Sequence, residues 1–309
     1  MITVYLDHNV IDGFDKGKTA NLDSLLANKG VLPIISLASV DEIFRGHDEA
    51  RSRSNIESLK KLRVRYIHSG PDDSHMSISE LDYENLHQKW LKMQSDIEPL
   101  NDSHFSFIKT LFRGNVPEAI QDMDQAVNDQ ITWIKSNYDK FPNSQPQMNK
   151  VLSTPKEYRE LCGQLIHLKT RLPFTPKEIN NIAEKSVFWT CVDKLKSANN
   201  ANLQVIGGFI QDEIESAKTI DDQFTIVFLW LNIFGYYPDD LTRKDRVRSN
   251  FSDANHATYA IACDAMLTYD KKFAKRAAAA MGALKLKTEV SIDANKLLHR
   301  IAALSGHSR

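Results

Sequence analysis

Short apolar runs near the start of the chain are separated by polar turns, which is the pattern of strands in a buried sheet. Residues 2–6 are a β-branched and aromatic run, and residues 31–36 repeat the pattern. Residues 60–67 alternate basic and apolar side chains, which is typical of a half-exposed strand. Ser39 and Glu42 have the Ser-x-x-Glu spacing of a capping box, so we expect a helix to begin there. Strand, helix and strand in this order favour a parallel sheet.

Helical periodicity replaces this pattern in the middle of the chain. From about residue 77 apolar residues recur at steps of three or four, as in Val127, Ile131 and Ile134, which predicts amphipathic helices. We therefore expect residues 75–240 to be a large all-helical insertion.

Sheet-like patterning returns near residue 250. The last segment predicts helix, strand, helix, strand and helix, over residues 253–263, 265–268, 271–281, 286–292 and 294–304. The two ends of the chain then complete one sheet. The fold class that we expect is α/β, a three-layer α/β/α sandwich with a central, mostly parallel sheet, formed by residues 1–70 and 245–309.

Composition bounds the class of protein more than its function. The chain has 309 residues, 42% hydrophobic and 26% charged, which is typical of an ordinary globular protein. Its net charge of −1 provides no global field that would attract nucleic acid, so any site for a polyanion must be local.

The cysteines and the longest apolar stretch indicate a cytoplasmic protein without a membrane span. Three widely spaced cysteines fit neither a metal-ligand spacing nor a secreted disulfide framework. The chain opens directly into a strand-like run, with no signal-peptide pattern. The apolar stretch of residues 226–237 is too short to cross a bilayer, and we expect a buried helix there.

Four acidic residues are expected to meet at one edge of the sheet. Asp7 follows the first strand and Glu42 lies after the second, so both belong at the carboxyl ends of the strands. A helix of about 11 residues from Asp253 descends roughly 16 Å, and the following strand climbs back to Asp270. All four carboxylates should therefore lie close together.

Such a cluster needs a cation. Each pair of carboxylates at about 4 Å repels by about 4 kcal/mol at an effective dielectric constant near 20. Oxygen ligands with no thiolate and few imidazoles favour Mg²⁺ or Mn²⁺ over zinc. Such ions activate water and stabilise charge on a phosphate, so the cluster predicts phosphodiester hydrolysis by metal-activated water.

The motifs that carry these acids resemble those of the PIN-domain ribonucleases. The segment 5–10 resembles the first-strand motif of that family, and the segment 39–43 resembles the second motif, with Glu42 as the matching acid. The most specific likeness is the segment 253–271, which is similar to the late helix and the Thr-x-Asp strand end. The resemblance covers residues 1–67 and 250–300, and the helical middle has no counterpart in the small members.

This resemblance implies a Mg²⁺- or Mn²⁺-dependent endoribonuclease, with Asp7, Glu42, Asp253 and Asp270 as catalytic, metal-binding residues. The sequence leaves structural roles open for each of them. Asp7 suits a turn, Glu42 a capping box, and Asp253 and Asp270 helix caps. Asp264 lies one helix length beyond Asp253, and we interpret it as structural.

Three polar residues are candidates for a supporting role. Asn9 fixes the loop after the first strand or, less often, binds metal. Thr268 orients a neighbouring carboxylate or merely favours a strand. His256 lies one turn after Asp253, where it either touches a phosphate, holds a ligand carboxylate, or is a hydrogen-bonded structural histidine.

Basic residues flank the acidic motifs, and we predict that they contact a nucleic-acid backbone. The candidates are Arg45, Arg246, Arg248, Lys271 and Lys272, and Arg276 belongs to the same cluster. Taken singly, each also fits a solvated surface.

Several hypotheses remain open at the level of sequence. The same site could cut DNA, since its chemistry needs no 2′-hydroxyl, and a catalytically inactive scaffold for protein partners is another alternative. A phosphatase of the Asp-x-Asp type is disfavoured, because Asn9 replaces the second acid and cannot protonate a leaving group. The insertion is a candidate cap, substrate selector or homo-oligomer interface. The RNA substrate, any inhibitor or partner protein, and a toxin, defence or RNA-processing context are not distinguished.

Overall fold

The fold is mixed α/β, with helices around a six-stranded, mostly parallel sheet. It is described by a computed structural model, and the description covers residues 2–19, 21–45, 48–69, 76–97, 116–140, 145–239 and 244–306.

The sheet has the strand order β4-β3-β2-β1-β5-β6. Its strands are β1 (Ile2–Leu6), β2 (Val31–Ser36), β3 (Arg65–Ser69), β4 (Met76–Glu80), β5 (Ala265–Leu267) and β6 (Glu289–Ser291). All neighbouring pairs are parallel except β3 and β4. Leu6 is in register with Leu267, so the residues that follow β1 and β5 lie side by side.

Helices occupy most of the rest of the described chain. They are α1 (His8–Asp15), α2 (Leu22–Asn28), α3 (Leu37–Arg45), α4 (Glu49–Leu62), α5 (Leu86–Ile97), α6 (Val116–Asn137), α7 (Gln145–Ser153), α8 (Pro155–Arg171), α9 (Pro176–Asn180), α10 (Val187–Lys196), α11 (Ala201–Ser216), α12 (Ile220–Phe234), α13 (Lys244–Ala260), α14 (Lys271–Ala283) and α15 (Ala294–Gly306). A single 3₁₀ turn, Tyr138–Lys140, follows α6. No helix of the described residues combines the length and apolar character that a membrane span requires.

Both faces of the sheet are packed, because alternate strand residues point to opposite sides. Tyr5 and Ile34 belong to one apolar core, which α10 to α14 complete. Val4, Leu6 and Ile35 belong to the other, which α1 to α5 and α15 complete. Parallel strands buried on both faces are near-continuous hydrophobic runs, which is why β1 and β2 could be predicted with the bounds observed.

Two local expectations were wrong and a third was confirmed. The region from residue 75 is not all helical, because Met76–Glu80 forms β4 and pairs with β3 along its whole length. The third strand begins at Arg65 rather than at residue 60, since α4 continues to Leu62 and ends where Arg63 adopts the left-handed conformation, with φ of 54°. The buried helix expected in the apolar stretch of residues 226–237 is observed as α12, which ends at Phe234 because Gly235 caps it with φ of 86°.

Two helix starts also differ from expectation. Helix α3 begins at Leu37, before Ser39, so Glu42 does not close a capping box at its start. Helix α13 begins at Lys244, so Asp253 lies inside it rather than at its first turn. In both cases the acidic residue has a tertiary partner instead of a capping role.

Candidate metal centre

Asp7 lies at the carboxyl end of β1 and is held there from two sides. Its backbone N–H donates to the carbonyl of Leu267, at 3.0 Å. Its carboxylate oxygen Oδ2 accepts hydrogen bonds from the Thr268 hydroxyl, at 2.6 Å, and from the Asn9 amide, at 2.5 Å. Asp7 is only 5% exposed. Asn9 and Thr268 therefore orient this buried carboxylate, as expected of supporting residues.

Glu42 approaches from α3, which follows β2. Its Oε1 accepts a hydrogen bond from the Ser252 hydroxyl of α13, at 2.9 Å. This bond links the acid to a helix more than 200 residues away, and Ser252 was not identified from the sequence.

His256 completes the group from α13, one turn beyond Ser252. Its side chain is buried, and Nδ1 lies 2.7 Å from the Tyr5 hydroxyl. Its other nitrogen, Nε2, lies 3.5 Å from Glu42 Oε2 and 3.9 Å from Asp7 Oδ1. Nε2 has no hydrogen-bond partner among the described residues, and these distances are too long for one.

These three side chains share one arrangement. Each is anchored through one polar atom: Oδ2 of Asp7, Oε1 of Glu42 and Nδ1 of His256. The other ring nitrogen of His256 faces the second oxygens of Glu42 and Asp7. One ligand atom from each of the three residues lies within 4.8 Å of those of the other two. Two carboxylate oxygens and an unpartnered, buried imidazole nitrogen are a donor set that fits a divalent cation. The group thus passes the chemical test for a metal site.

The three groups shift one another's titration strongly. Burial raises the pKa of Asp7, and the Glu42 charge adds to this effect while His256 and Thr268 oppose it. Burial also raises the pKa of Glu42, but His256 and Ser252 outweigh it and bring the pKa to about 2. Burial lowers the pKa of His256, but the carboxylates of Glu42, Asp7 and Asp253 outweigh it and bring the pKa to about 9. Without a metal, the imidazolium itself supplies positive charge to the site.

Asp253 lies near the group but has a different partner. Its Oδ2 is 3.2 Å from Nη2 of Arg276, a guanidinium on α14 that is fully buried. Burial raises the pKa of Asp253 well above its ordinary value, opposed by Arg276 and reinforced by the charges of Asp7 and Asp239. The structure couples Asp253 to Asp7 electrostatically, but the three-residue donor group does not include Asp253.

Asp270 serves as the N-cap of α14. Its Oδ1 accepts hydrogen bonds from the backbone N–H groups of Lys272 and Phe273, and the side chain is exposed. Its own N–H donates to the Thr268 hydroxyl, which in turn donates to Asp7. Asp270 is therefore linked to Asp7 through Thr268 and lies outside the donor group. Its predicted role as a metal ligand stays a prediction.

Asp264 lies at the opposite end of the strands, as the sequence predicted. Its carboxylate accepts hydrogen bonds from the backbone and the hydroxyl of Thr3, near the start of β1. This contact accounts for Asp264 as a structural residue.

The predicted nucleic-acid contacts have mixed environments. Arg45 forms an ion pair with Asp41, one helical turn earlier. Lys271 and Lys272 are exposed at the start of α14, and Lys272 donates to the carbonyl of Pro238. The side chains of Arg246 and Arg248 lie outside the described part of the structure.

Arg276 and Tyr5 have roles in the structure that their sequence positions did not indicate. Arg276 was grouped with the exposed basic residues, but it is buried and bound to acids. Tyr5 was counted only as an apolar strand residue. Its hydroxyl contacts Ser36 and His256, both at 2.7 Å. The available signal was a tyrosine in the strand, two residues before Asp7. A buried tyrosine hydroxyl requires a hydrogen-bond partner.

No protein-family model, no curated protein and no solved structure matches this chain, so its geometry and its residues alone carry the functional argument.

Proposed function

We propose that this protein is a divalent-metal-dependent nuclease that hydrolyses phosphodiester bonds, with RNA as its substrate. The observation that carries the proposal is the group formed by Asp7, Glu42 and His256 at the carboxyl ends of the strands, in which one ligand atom of each residue lies within 4.8 Å of those of the other two. His256 Nε2 faces both carboxylates. In open α/β sheets, this is the edge at which ligands bind.

We also propose a more specific fold, a PIN-like three-layer α/β/α sandwich. The positions of the PIN-like segments in the structure support it. The segments that resemble the PIN motifs fall on the end of β1, on α3, and on α13 through the start of α14. These segments are adjacent in space although they are widely separated along the chain.

The donor set points to Mn²⁺ rather than Mg²⁺ as the resident ion. Carboxylate oxygens suit both ions, but an imidazole nitrogen favours ions softer than Mg²⁺. Mn²⁺ accepts both kinds of ligand. The sequence-based preference for Mg²⁺ or Mn²⁺ over zinc assumed oxygen ligands, and His256 changes that assumption.

The protein residues hold and orient the site. Thr268 and Asn9 donate to Oδ2 of Asp7, which leaves Oδ1 directed toward His256. The bound ion would lower the pKa of a water molecule and neutralise charge that builds up on a phosphate. Lys271, exposed at the start of α14, is positioned to attract a polyanion to this edge.

A catalytically inactive scaffold is the second candidate, and one observation favours it. His256 has a pKa raised to about 9 and lies 3.5 Å from Glu42, so the site is partly neutralised without any metal. The two candidates differ in whether a metal ion displaces the His256 proton. DNA cleavage by the same site is a variant of the first candidate.

Cleavage by protein stripped of metal with EDTA tests the proposal. Labelled RNA and DNA oligonucleotides of one sequence are incubated with wild type, with Asp7→Asn and with Asp264→Asn, each with and without Mn²⁺. Asp264 is the matched control, because it is an aspartate at the far end of the same strands. We expect Mn²⁺-dependent RNA cleavage by wild type and Asp264→Asn only. Cleavage that survives in Asp7→Asn, or none by wild type on a broad substrate panel, contradicts the proposal.

A further inference from the structure

Arg276 is a permanent positive charge built into the interior beside the acidic group. Its side chain is fully buried on α14. Nη1 donates to the carbonyl of Tyr237 at 2.9 Å, and Nη2 contacts carboxylate oxygens of Asp239 at 2.5 Å and Asp253 at 3.2 Å. A guanidinium does not lose its proton in proteins, so this charge is present at every working pH.

The packing around Arg276 keeps it in place. Its guanidinium carbon lies 5.3 Å from the centre of the Phe228 ring of α12. Asp239, which it contacts, also accepts a hydrogen bond from Asn250 of α13, at 3.1 Å. Arg276 thus joins α12, α13, α14 and the segment after α12, and it has no exposed surface with which to reach a substrate.

Asp253 faces this fixed charge, although the PIN-like motif assigns it to the metal. In two-metal hydrolytic sites, ions about 4 Å apart share an acidic cluster between them. Here the guanidinium already lies 3.2 Å from Asp253 Oδ2. A divalent ion on the same oxygen would be repelled by the guanidinium at close range.

We propose that this acidic edge takes one divalent ion, at Asp7, Glu42 and His256, and that Arg276 replaces a second ion by neutralising Asp253 and Asp239. The inference rests on the proposed metal site. Arg276 is accordingly a positioning residue, which holds the side chain of Asp253 through the contact between Nη2 and Oδ2.

Manganese stoichiometry tests the inference without any measurement of activity. Metal-stripped protein is titrated with Mn²⁺ by calorimetry, and the free Mn²⁺ is measured by electron paramagnetic resonance. We expect one ion per chain for wild type and for Asp253→Asn. Two ions for wild type and one for Asp253→Asn would overturn the inference, because Asp253 would then hold a second ion.

Variants at Arg276 test its own role. Arg276→Gln removes the charge and exposes Asp253 and Asp239 to a second ion, so we expect two ions per chain. Arg276→Lys keeps the charge and should bind one. Near-ultraviolet circular dichroism checks that each variant is folded, and the comparison of wild type with Asp253→Asn holds even if Arg276→Gln does not fold. A folded Arg276→Gln protein that still binds one ion overturns the role given to Arg276.

The outcomes separate this inference from the proposed function. One bound ion without cleavage of any nucleic acid contradicts the nuclease proposal and supports the single-ion site. Cleavage together with two bound ions supports the nuclease proposal and contradicts the single-ion site. Absence of any bound Mn²⁺ contradicts both.

Discussion

The hydroxyl of Tyr5 lies 2.7 Å from Nδ1 of His256, 251 residues further along the chain. This contact connects the first strand to the helix that completes the site. The Tyr5 hydroxyl also lies 2.7 Å from the Ser36 hydroxyl, which can accept a hydrogen bond from it. The Nδ1–H of His256 can therefore donate a hydrogen bond to the Tyr5 oxygen, which leaves the lone pair of Nε2 available to a metal ion.

Loss of the Tyr5 hydroxyl should weaken metal binding without removing a ligand. We expect Tyr5→Phe to lower Mn²⁺ affinity by about 10- to 100-fold, as loss of an outer-shell partner of a metal-bound histidine typically does. It should also lower the free energy of unfolding by about 1–3 kcal/mol, because a buried Nδ1 loses its partner. Calorimetric titration measures the affinity. Tyr66→Phe, at a half-buried tyrosine of β3, is the control and should bind Mn²⁺ as wild type does.

Asp7→Asn should separate catalysis from stability. Asp7 is buried near another carboxylate, and its pKa is raised by burial and by Glu42, so ionised Asp7 is held at a cost. The variant keeps the shape of the side chain and removes one charged ligand. Loss of an outer-shell partner of a metal ligand typically lowers activity by about 10- to 100-fold. Loss of a ligand itself should lower the cleavage rate by more than this. Thermal unfolding in EDTA should show stability equal to or above wild type, and a large decrease in Tm would identify Asp7 as a structural residue.

The metal-free protein should lose stability as the pH rises from about 6.5 to 9. The folded-state pKa of His256 is raised from its ordinary value of 6.5 to about 9. Protonated His256 therefore stabilises the folded state, and this stabilisation is fully present below pH 6.5. It is lost as the pH rises through 9. The expected loss is about 3 kcal/mol, from 1.36 kcal/mol for each pKa unit.

Urea unfolding in EDTA across this pH range measures the effect. His256→Asn should flatten the profile, whereas His299→Gln, at an exposed histidine, should not. The ion pair between His256 and Glu42 also affects stability at acidic pH. The pKa of Glu42 is depressed to about 2, so its stabilisation is present above 4.5 and lost as the pH falls toward 2.

The mixed donor set should show in metal preference. We expect wild type to reach half-maximal cleavage at a lower concentration of Mn²⁺ than of Mg²⁺, because His256 contributes a nitrogen ligand. In His256→Asn the ligands are oxygen atoms, and the difference between the two ions should narrow. An equal response of wild type to both ions would count against His256 as a ligand.

Asp270 provides a test of helix capping against metal binding. Asp270→Ala removes the acceptor for the N–H groups of Lys272 and Phe273 and should lower the free energy of unfolding by about 1 kcal/mol. Asp270→Asn keeps an acceptor oxygen and should preserve both stability and Mn²⁺ affinity. A large loss of Mn²⁺ affinity in Asp270→Asn would instead support the role that the sequence motif assigns to it.

Local sequence pattern determined the central strands and the polar residues at their ends. The apolar runs at residues 2–6 and 31–36 are observed as strands with the same bounds, because buried parallel strands are apolar on both faces. Parallel strands also end at one edge, so Asp7 and Thr268 could be expected to meet there, and Thr268 donates to Asp7.

The composition of the site was decided by the tertiary structure. His256 joins Asp7 and Glu42, because the packing of α13 places its ring beside Tyr5 of β1. Asp253 of the same helix faces Arg276 instead, and Asp270 caps α14. Arg276 looks like a surface residue in the sequence, yet packing of α12, α13 and α14 buries it against two aspartates. The packing of helices against the sheet decides which ionisable groups lie close together, and hence which pKa values shift. No local sequence pattern encodes the distance between residues that are far apart along the chain.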